Sequence, residues 1–303
     1  MPKQPLAEVF GFPIDNFTPE AERYRRTRLC PFHNKVPNCT KDSVTDPLGV
    51  CSIFDGDRIA VICPVRLREE WLIAEQAARF FFPEGTRWTT LVEVRLNDKH
   101  GKSAGNIDVV VVAYDDEGKV TDFGSLEVQS VYISGNVRKA FYKPYIDDPE
   151  AYLATDWTSS RKKNPRPDYL SSSRKRLAPQ LIYKGGILKA WGRKQAVAVH
   201  SAFYATLPEL PETSAEMADI AWLIYDLVYN ETKQRYVLTP TRTVYTQFKP
   251  SLDKITLSEP GPAEGFLANL QKKLDAKLAG TAEEQETELP TDVTDILDEI
   301  ENL

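Results

Sequence analysis

The sequence lacks any apolar run of the roughly 18 to 20 residues that an α-helix needs to cross a bilayer. Its first residues, MPKQPLAEVFGF, lack the basic-then-apolar order of a secretory signal. No internal repeat with a period of about 20 to 50 residues is present either. These absences predict a cytoplasmic protein that does not associate with a membrane.

An overall basic charge is also missing, since the formal net charge is -6, and this disfavours a nucleic-acid partner when taken alone. The charges are unevenly distributed, however. The stretch 161–194 contains eleven Lys or Arg and one acid, whereas 281–303 contains nine acids and no base. This asymmetry indicates a polyanion-binding region in the middle of the chain. The alternative is a solvated basic face followed by a disordered acidic tail.

The pattern of apolar residues predicts an α/β fold. Apolar residues at helical spacing predict a helix over Leu67–Phe82, and Pro83 and Gly85 then terminate it. Three strands are then expected over 86–96, 106–114 and 120–131, and the second is apolar on both faces, as in the centre of a sheet. The later expectations are a crossover helix over 134–146, a strand over 195–207, a hairpin of 220–229 with 234–238, and a late amphipathic helix around Leu270. Strands mixed with helices in this order predict a mixed central sheet flanked by helices.

Two acids on neighbouring strands form the candidate catalytic site. Asp108 begins the apolar strand, and Glu127 and Gln129 share one face of the next strand because alternate side chains point the same way. Two converging carboxylates suit Mg²⁺, which takes a few carboxylate oxygens together with water and a phosphate oxygen. The predicted chemistry is phosphodiester hydrolysis. Glu93 on the preceding strand is a possible outer ligand, and the amide of Gln129 could orient a water. The alternative is two surface acids at sheet edges.

All four cysteines lie within 34 residues that are rich in proline. Cys30, Cys39, Cys51 and Cys63 are separated by eight, eleven and eleven residues, which does not match the tight pairs of a zinc ribbon. Two disulfides and four free buried thiols are alternatives. A tetrahedral Cys₄ site that holds zinc or one iron explains the clustering best and has a structural role, since protein ligands fill every position.

These residues together resemble the NotI family of restriction endonucleases. The motifs that carry the resemblance are Asp108 followed by Glu127-x-Gln129, and CPFHNKVPNC followed by GVCSIF and VICP, between about Arg28 and Arg138. The resemblance implies a PD-(D/E)XK core in which Asp108 and Glu127 bind metal, Gln129 takes the position usually held by lysine, and Glu93 is the upstream acid. It also implies iron in the cysteine site and hydrolysis that leaves a 5′-phosphate and a 3′-hydroxyl.

A basic segment is the candidate DNA-reading region. Lys162, Lys163 and Lys175 suit phosphates, whereas the planar side chains of arginine fit the edge of guanine. The candidate base-reading residues are Arg166, Arg174 and Arg176, with Asp168 as an acceptor for a cytosine amino group. The alternative is a flexible loop that touches only the DNA backbone. In size the chain resembles a shorter member of the family, which implies a GC-rich palindromic target such as CGGCCG.

The sequence thus predicts three regions. Residues 1–65 carry the Cys₄ site, residues 66–280 form the nuclease core with a basic insertion at 155–194, and residues 281–303 are an acidic tail. The predicted protein is a type II restriction endonuclease that acts on double-stranded DNA, and cutting a palindrome on both strands predicts a homodimer. The alternatives are a structure-specific or nonspecific repair nuclease and a metal-stabilised DNA-binding protein without catalysis.

Overall fold

A computed structural model describes residues 4–34, 36–157, 164–257 and 260–279. The chain divides into two compact units, Met1–Leu257 and Ser258–Leu303, so the predicted boundary at residue 65 lies inside the first unit. Lys162, Lys163 and the acidic tail lie outside the described residues. Within the described part of the chain, every helix is too short or too polar to cross a membrane.

A small antiparallel sheet opens the chain. Its strand order is β2-β1-β3-β4, with the bounds β1 Leu6–Val9, β2 Phe12–Pro13, β3 Val50–Asp55 and β4 Arg58–Val61. Helix α1, Pro19–Arg26, lies between β2 and β3 and begins where the Thr18 hydroxyl accepts a hydrogen bond from the Ala21 amide, with proline at the first helical position. The apolar residues of this sheet pack with those of a helical segment farther along the chain, such as Phe141 and Tyr145.

The central sheet has six strands in the order β12-β11-β10-β7-β6-β5. Their bounds are β5 Trp88–Asn97, β6 Ser103–Tyr114, β7 Val120–Gln129, β10 Gln195–His200, β11 Ile220–Asn230 and β12 Arg235–Thr246. Strands β7, β10 and β11 are parallel to one another, and the remaining pairs are antiparallel. The mixed sheet, the three consecutive strands β5 to β7 and the hairpin β11–β12 are therefore confirmed.

The helix predicted from Leu67 is divided into two parts. A 3₁₀ helix spans Pro64–Trp71, and helix α2 spans Leu72–Phe81. Within the 3₁₀ stretch, Glu69 and Glu70 leave helical geometry, because the buried Glu69 carboxylate accepts hydrogen bonds from Arg66 and from the Leu238 amide. Helix α2 packs its apolar side against one face of the sheet, in the cluster that includes Val109 and Leu126.

Short helices and a ribbon follow β7. Their bounds are β8 Tyr132–Ser134, a π-helix Arg138–Tyr142, α3 Lys143–Asp147, α4 Pro149–Ala154 and β9 Arg166–Asp168. The crossover helix expected over 134–146 therefore exists but starts four residues later. Strands β8 and β9 pair as a two-stranded antiparallel ribbon.

The second face of the sheet is covered by one helical run, Tyr169 to Ala190, in which α and π turns alternate. The bounds are α5 Tyr169–Ser171, π Ser172–Leu177, α6 Ala178–Gln180, π Leu181–Gly185 and α7 Gly186–Ala190. The basic stretch up to Arg176 has the polar composition of a loop, but it is helical from Tyr169, because Leu177 and Leu181 bury against Val197 and Val199 of β10. Tertiary packing outweighs the polar composition of this stretch.

The strand predicted over 195–207 ends at His200, where helix α8, Ser201–Tyr204, begins. The His200 side chain accepts a hydrogen bond from the Ala202 amide and so caps that helix. Helix α9 spans Phe248–Thr256, and the second unit contains helix α10, Ala263–Leu278. The late amphipathic helix is thus present in the second unit.

Candidate active site

Asp108 and Glu127 lie at the same level of β6 and β7. The antiparallel register pairs Val109 with Leu126, which makes Asp108 and Glu127 the next pair in line. Regular pairing of the two strands stops at this point, and the Asp108 Oδ2 atom accepts a hydrogen bond from the Val128 amide at 2.8 Å in place of a backbone carbonyl. The structure therefore brings Asp108 and Glu127 side by side.

Glu127 is buried in the sheet and its ionised form is disfavoured. Burial raises the pKa of Glu127 from 4.5 to about 7, and the neighbouring Asp108 raises it further, while Lys184 opposes the shift. The Oε1 atom of Glu127 is buried without a hydrogen-bond partner. A buried carboxylate oxygen that has no donor is costly, so this atom is suited to a cation that enters the site.

The lysine expected near such a pair of acids comes from the helical run. Lys184 Nζ donates to Glu127 Oε2 at 2.6 Å and to the Asn106 carbonyl oxygen at 2.7 Å, and its side chain is buried. Sequence reasoning missed this residue. The available signal was its position: Leu177, Leu181 and Leu188 mark the buried side of the helix, and Lys184 falls on the same side.

The helix that carries Lys184 can approach the sheet closely because residue 185 is glycine. A Cβ atom at Gly185 would lie 2.7 Å from the Phe248 ring and 2.9 Å from the Gln195 Oε1 atom. A larger side chain would require the Phe248 ring or the Gln195 side chain to move. Gly185 therefore sets the depth at which Lys184 enters the site.

Gln129 and Glu93 occupy different surroundings. Gln129 lies on the same side of β7 as Glu127, since these residues pair with Val199 and Val197 of β10, and its amide nitrogen donates to the Ser130 carbonyl oxygen at 2.7 Å. Glu93 is at the level of Asp108 on β5, but its side chain is 59% exposed and its carboxylate lies 3.9 Å from Arg68. Glu93 also has a φ of 54°, a left-handed conformation that is strained for a residue in a strand.

Within the described residues there is no group of three or more His, Cys, Asp or Glu side chains that could hold a metal ion. Mg²⁺ needs fewer protein ligands, because one or two carboxylates together with waters and substrate phosphates complete its six positions. Asp108 and Glu127 satisfy that smaller requirement, and the unpartnered Oε1 atom of Glu127 fits it.

Backbone hydrogen bonds hold the cysteines as two hairpin-like pairs, and among the described residues these pairs do not form a group that could hold a metal ion. The amide of Cys30 bonds to the Pro37 carbonyl and that of Cys39 to the Arg28 carbonyl, while the amide of Cys63 bonds to the Cys51 carbonyl. All four are free thiols. Burial raises the pKa of Cys30 to about 12, and the thiols of Cys63 and Cys39 also raise it. Burial likewise raises the pKa of Cys51, as do Glu8 and the other three thiols. The four sulfurs are thus electrostatic neighbours.

The described basic candidates lie beside the catalytic strand. Arg174, Lys175 and Arg176 are exposed on the helical run, and the Arg176 guanidinium lies 5.0 Å from the centre of the Tyr132 ring. A cleft of about 670 Å³ begins at Ser130, next to Gln129, and is lined by Tyr132, Arg138, Arg176 and Cys63. The cleft therefore joins one basic candidate, Arg176, to Cys63 and starts one residue after Gln129, but Asp108 and Glu127 do not line it.

Asp168 is already engaged within the protein. One of its carboxylate oxygens accepts from the Ser171 amide at 2.9 Å and the other from the Ser171 hydroxyl at 2.7 Å. These hydrogen bonds lower the pKa of Asp168. Asp168 therefore caps the start of the helical run, and a contact with cytosine would have to replace those bonds. Arg166, on β9, is exposed.

Comparison with known proteins identifies the family. No curated protein matches the chain. The family model described as restriction endonuclease NotI matches residues 8–238, which include the cysteines, both acids and Lys184. This match covers most of the chain, and the acids of the matched region meet on one face of a mixed sheet flanked by helices. The chain therefore belongs to the NotI restriction endonuclease family.

Proposed function

We propose that this protein is a type II restriction endonuclease with a PD-(D/E)XK core, which uses Mg²⁺ to cut both strands of DNA at a GC-rich palindrome such as CGGCCG. The observation that carries the proposal is the pair of carboxylates, Asp108 and Glu127, at the point where β6 and β7 separate in a chain of this family. The products are a 5′-phosphate and a 3′-hydroxyl.

Asp108 and Glu127 would hold the metal ion. When bound, Mg²⁺ supplies a Lewis acid that stabilises charge on the phosphate and on the leaving 3′-oxygen. The Oε1 atom of Glu127 has no donor in the protein and is free to serve as a ligand. Gln129 is neutral and already donates to Ser130, so it orients water or phosphate rather than removing a proton. Glu93, which is exposed and paired with Arg68, acts at most as an outer ligand.

DNA binding is assigned to the surface around the cleft beside Ser130. Arg166, Arg174, Lys175 and Arg176 are exposed there or next to it, and a guanidinium can bind guanine through two parallel hydrogen bonds. Arg176 is held by stacking on Tyr132, which reduces the entropy it loses on binding. Lys162 and Lys163 belong to the same proposal from sequence alone. A lysine that contacts a phosphate contributes to affinity for any DNA. An arginine that contacts a base edge contributes to discrimination between DNA sequences.

This assignment can be tested at one position. Arg174→Ala should weaken discrimination against a changed G·C pair if Arg174 reads a base, and the matched variant Lys175→Ala should lower affinity equally for all sequences. Binding is measured by titration of fluorescent duplexes that differ at single positions. A uniform loss for Arg174→Ala would make Arg174 a phosphate contact instead.

The cysteines are proposed to hold one structural iron or zinc ion. Burial and neighbouring thiols raise the pKa of Cys30, Cys39 and Cys51, so these thiols are protonated without metal, and a metal ion would displace the protons and bind thiolates. The two hairpin-like turns bring Cys30 with Cys39 and Cys51 with Cys63, which supports this donor set. All four positions are filled by protein, so the site stabilises the fold around it.

A homodimer follows from the proposed target. Cutting both strands of a palindrome at equivalent phosphates requires two active sites related by a twofold axis. Each chain has one such pair of acids, Asp108 and Glu127, in the residues described.

The deciding experiment is a digest of long DNA by the purified protein with Mg²⁺, followed by sequencing of the ends. The expected result is a set of discrete fragments that share one GC-rich palindrome, and no cleavage by Asp108→Asn. A smear would indicate a repair-type nuclease. Binding without cleavage, unchanged in Asp108→Asn, would indicate a DNA-binding protein.

A further inference from the structure

We propose that Lys184, on the helical run, is a catalytic residue of this enzyme and supplies the positive charge that Gln129 does not provide from the strand. This inference rests on the proposed Mg²⁺-dependent cleavage of DNA. It concerns which side chain stabilises the charge that develops on the phosphate as water attacks.

Lys184 occupies a position that packing alone would give to an apolar residue. Its neighbours on the buried side of the same run, Leu177, Leu181 and Leu188, are almost completely buried, and Lys184 is 3% exposed. A buried ammonium is costly unless it is paired, and replacing a buried ion pair by apolar groups is often neutral or stabilising. Stability therefore gives little reason for the pair itself, and Lys184 is required for stability only because the carboxylate of Glu127 is present.

The contacts of Lys184 direct its charge to the catalytic acids. Nζ is 2.6 Å from Glu127 Oε2 and 2.7 Å from the Asn106 carbonyl oxygen, which belongs to the residue two positions before Asp108. The ammonium thus touches both strands that carry the acids. It leaves the second oxygen of Glu127, Oε1, without a donor.

The balance of charge favours a catalytic role over a purely structural pair. Asp108 and Glu127 carry two negative charges when ionised, and Lys184 neutralises one of them. A divalent cation then gives the site one positive charge, which matches the single negative charge of a phosphodiester. Without Lys184 the same site would be neutral with the metal ion bound and would attract the substrate less.

Gln129, at the strand position usually held by lysine, cannot supply this positive charge. Gln129 is two residues after Glu127 on the same face, but its amide is uncharged and its nitrogen donates to the Ser130 carbonyl. The helical run covers the face on which these residues lie and brings a cation to the acids from above the sheet, and Gly185 permits the close approach.

The chemical step is hydrolysis. The oxygen of water forms a bond to phosphorus, the bond between phosphorus and the 3′-oxygen breaks, the water proton passes to solvent, and the leaving 3′-oxygen takes a proton from solvent. Lys184 donates a hydrogen bond to the phosphate or to the attacking water and stabilises the added negative charge. Loss of one such donor typically lowers a rate by about 100- to 1,000-fold.

The test compares four proteins: wild type, Lys184→Met, the double variant Lys184→Met with Gln129→Lys, and the control Lys189→Met. Lys189 lies on the same run and pairs with Asp219, but it is exposed and away from the acids. The measurements are the single-turnover cleavage rate with Mg²⁺, the affinity for DNA with Ca²⁺, the affinity for Mg²⁺ by calorimetry, and the thermal unfolding midpoint.

Lys184→Met is expected to fold and to bind DNA with Ca²⁺, but to cleave about 100- to 1,000-fold more slowly than wild type. Gln129→Lys in that background should recover most of the lost rate, because it places an ammonium next to the same acids. Lys189→Met should cleave like wild type.

Other outcomes would overturn the role. If Lys184→Met binds Mg²⁺ more tightly and cleaves at the wild-type rate, Lys184 only fills the site before the metal ion arrives. If the rate falls and Gln129→Lys recovers nothing, the lysine has a structural role. Should Lys184→Met not fold, Lys184→Gln removes the charge but keeps a hydrogen-bond donor for Glu127, and the same loss of rate and the same recovery by Gln129→Lys are required of it. If the wild type itself cleaves no DNA with Mg²⁺, the proposed function fails rather than this role.

Discussion

The Asp108 carboxylate accepts a hydrogen bond from the Val128 backbone amide at 2.8 Å, and this bond joins the strand of one acid to the strand of the other. Asp108 therefore has a structural role in addition to the proposed catalytic one. We expect Asp108→Asn to keep the bond through its amide oxygen and to lose at least about 100-fold in cleavage, because a negative charge is removed from the proposed metal site.

Asp108→Ala is the comparison for that variant. It leaves the Val128 amide without its partner, and we expect a loss of about 1 to 3 kcal/mol in the free energy of unfolding that Asp108→Asn does not show. Denaturant unfolding with a single-turnover assay separates the two effects. Equal stability of the two variants would contradict the structural role of the hydrogen bond.

Binding of Mg²⁺ should depend on pH through Glu127. Burial and Asp108 raise the pKa of Glu127 to about 7, so below that pH the carboxyl holds a proton that a metal ion must displace. Affinity for Mg²⁺ should rise as pH increases through about 7 and then level off, with up to about a tenfold change per pH unit below it. Calorimetry in buffers of different ionisation enthalpy should detect proton release at low pH, and Glu127→Gln should abolish that release.

The same shift has a consequence for the metal-free protein. Because the pKa of Glu127 is higher in the folded state than its ordinary value of 4.5, the folded state holds a proton that the unfolded chain has lost between pH 4.5 and about 7. The contribution of Glu127 to the free energy of unfolding therefore falls as pH rises through this window. Comparison of wild type with Glu127→Gln across that range isolates this contribution.

Replacement of one thiol should remove the proposed structural metal ion. Cys39 is buried and close to the other thiols, so we expect Cys39→Ala to lose the iron or zinc and to destabilise the small N-terminal sheet. Metal analysis of the purified proteins and thermal unfolding are the measurements. Unchanged metal content together with unchanged cleavage would rule out the Cys₄ site.

Arg66 ties the small sheet to the central one, and breaking its pairing should be costly. Its fully buried guanidinium binds Glu8 of β1 at 3.0 Å and Glu69 at 2.8 Å, and it donates to the Tyr236 carbonyl of β12. Glu8→Gln removes the charge of one partner, and we expect the free energy of unfolding to fall by about 3 to 5 kcal/mol.

The matched control for Glu8→Gln is the exposed pair between Glu70 and Lys233. Solvent screens this pair, so Glu70→Gln should change the free energy of unfolding by less than about 1 kcal/mol. Denaturant unfolding measures both variants. Similar small effects at the two sites would show that the buried network contributes little to stability.

The parts of the fold that were predicted correctly depend on local patterns. Alternating residues and turn residues mark β5 to β7 and the hairpin β11–β12, and strand geometry then fixes that Asp108 and Glu127 share a face. The break in helical geometry at Glu69 could not be predicted. The Glu69 carboxylate is buried because it accepts a hydrogen bond from the Leu238 amide, which is 169 residues away in sequence.

Lys184 shows most clearly what sequence patterns miss. Its contact with Glu127 spans 57 residues, and no local rule pairs a helix residue with a strand so far away. The stretch around it also looked polar because of its many basic residues, although Leu177 and Leu181 mark a buried side. A lysine in register with buried leucines is the one local sign that the helix delivers a charge to the interior.

The helix that delivers Lys184 contains wide π turns at Ser172–Leu177 and Leu181–Gly185. Each such turn accommodates roughly one more residue than an α-helix of the same length, in the way that a single-residue insertion would. A relative that lacked one residue in either π turn would wind as a regular α-helix there, and the side chains beyond it would keep their direction towards the sheet. A deletion in one of the α turns would instead rotate the following side chains by about 100° around the axis and turn the residue at the position of Lys184 away from the acids. Where this segment changes length, as much as its lysine, therefore determines whether a family member can share the proposed chemistry.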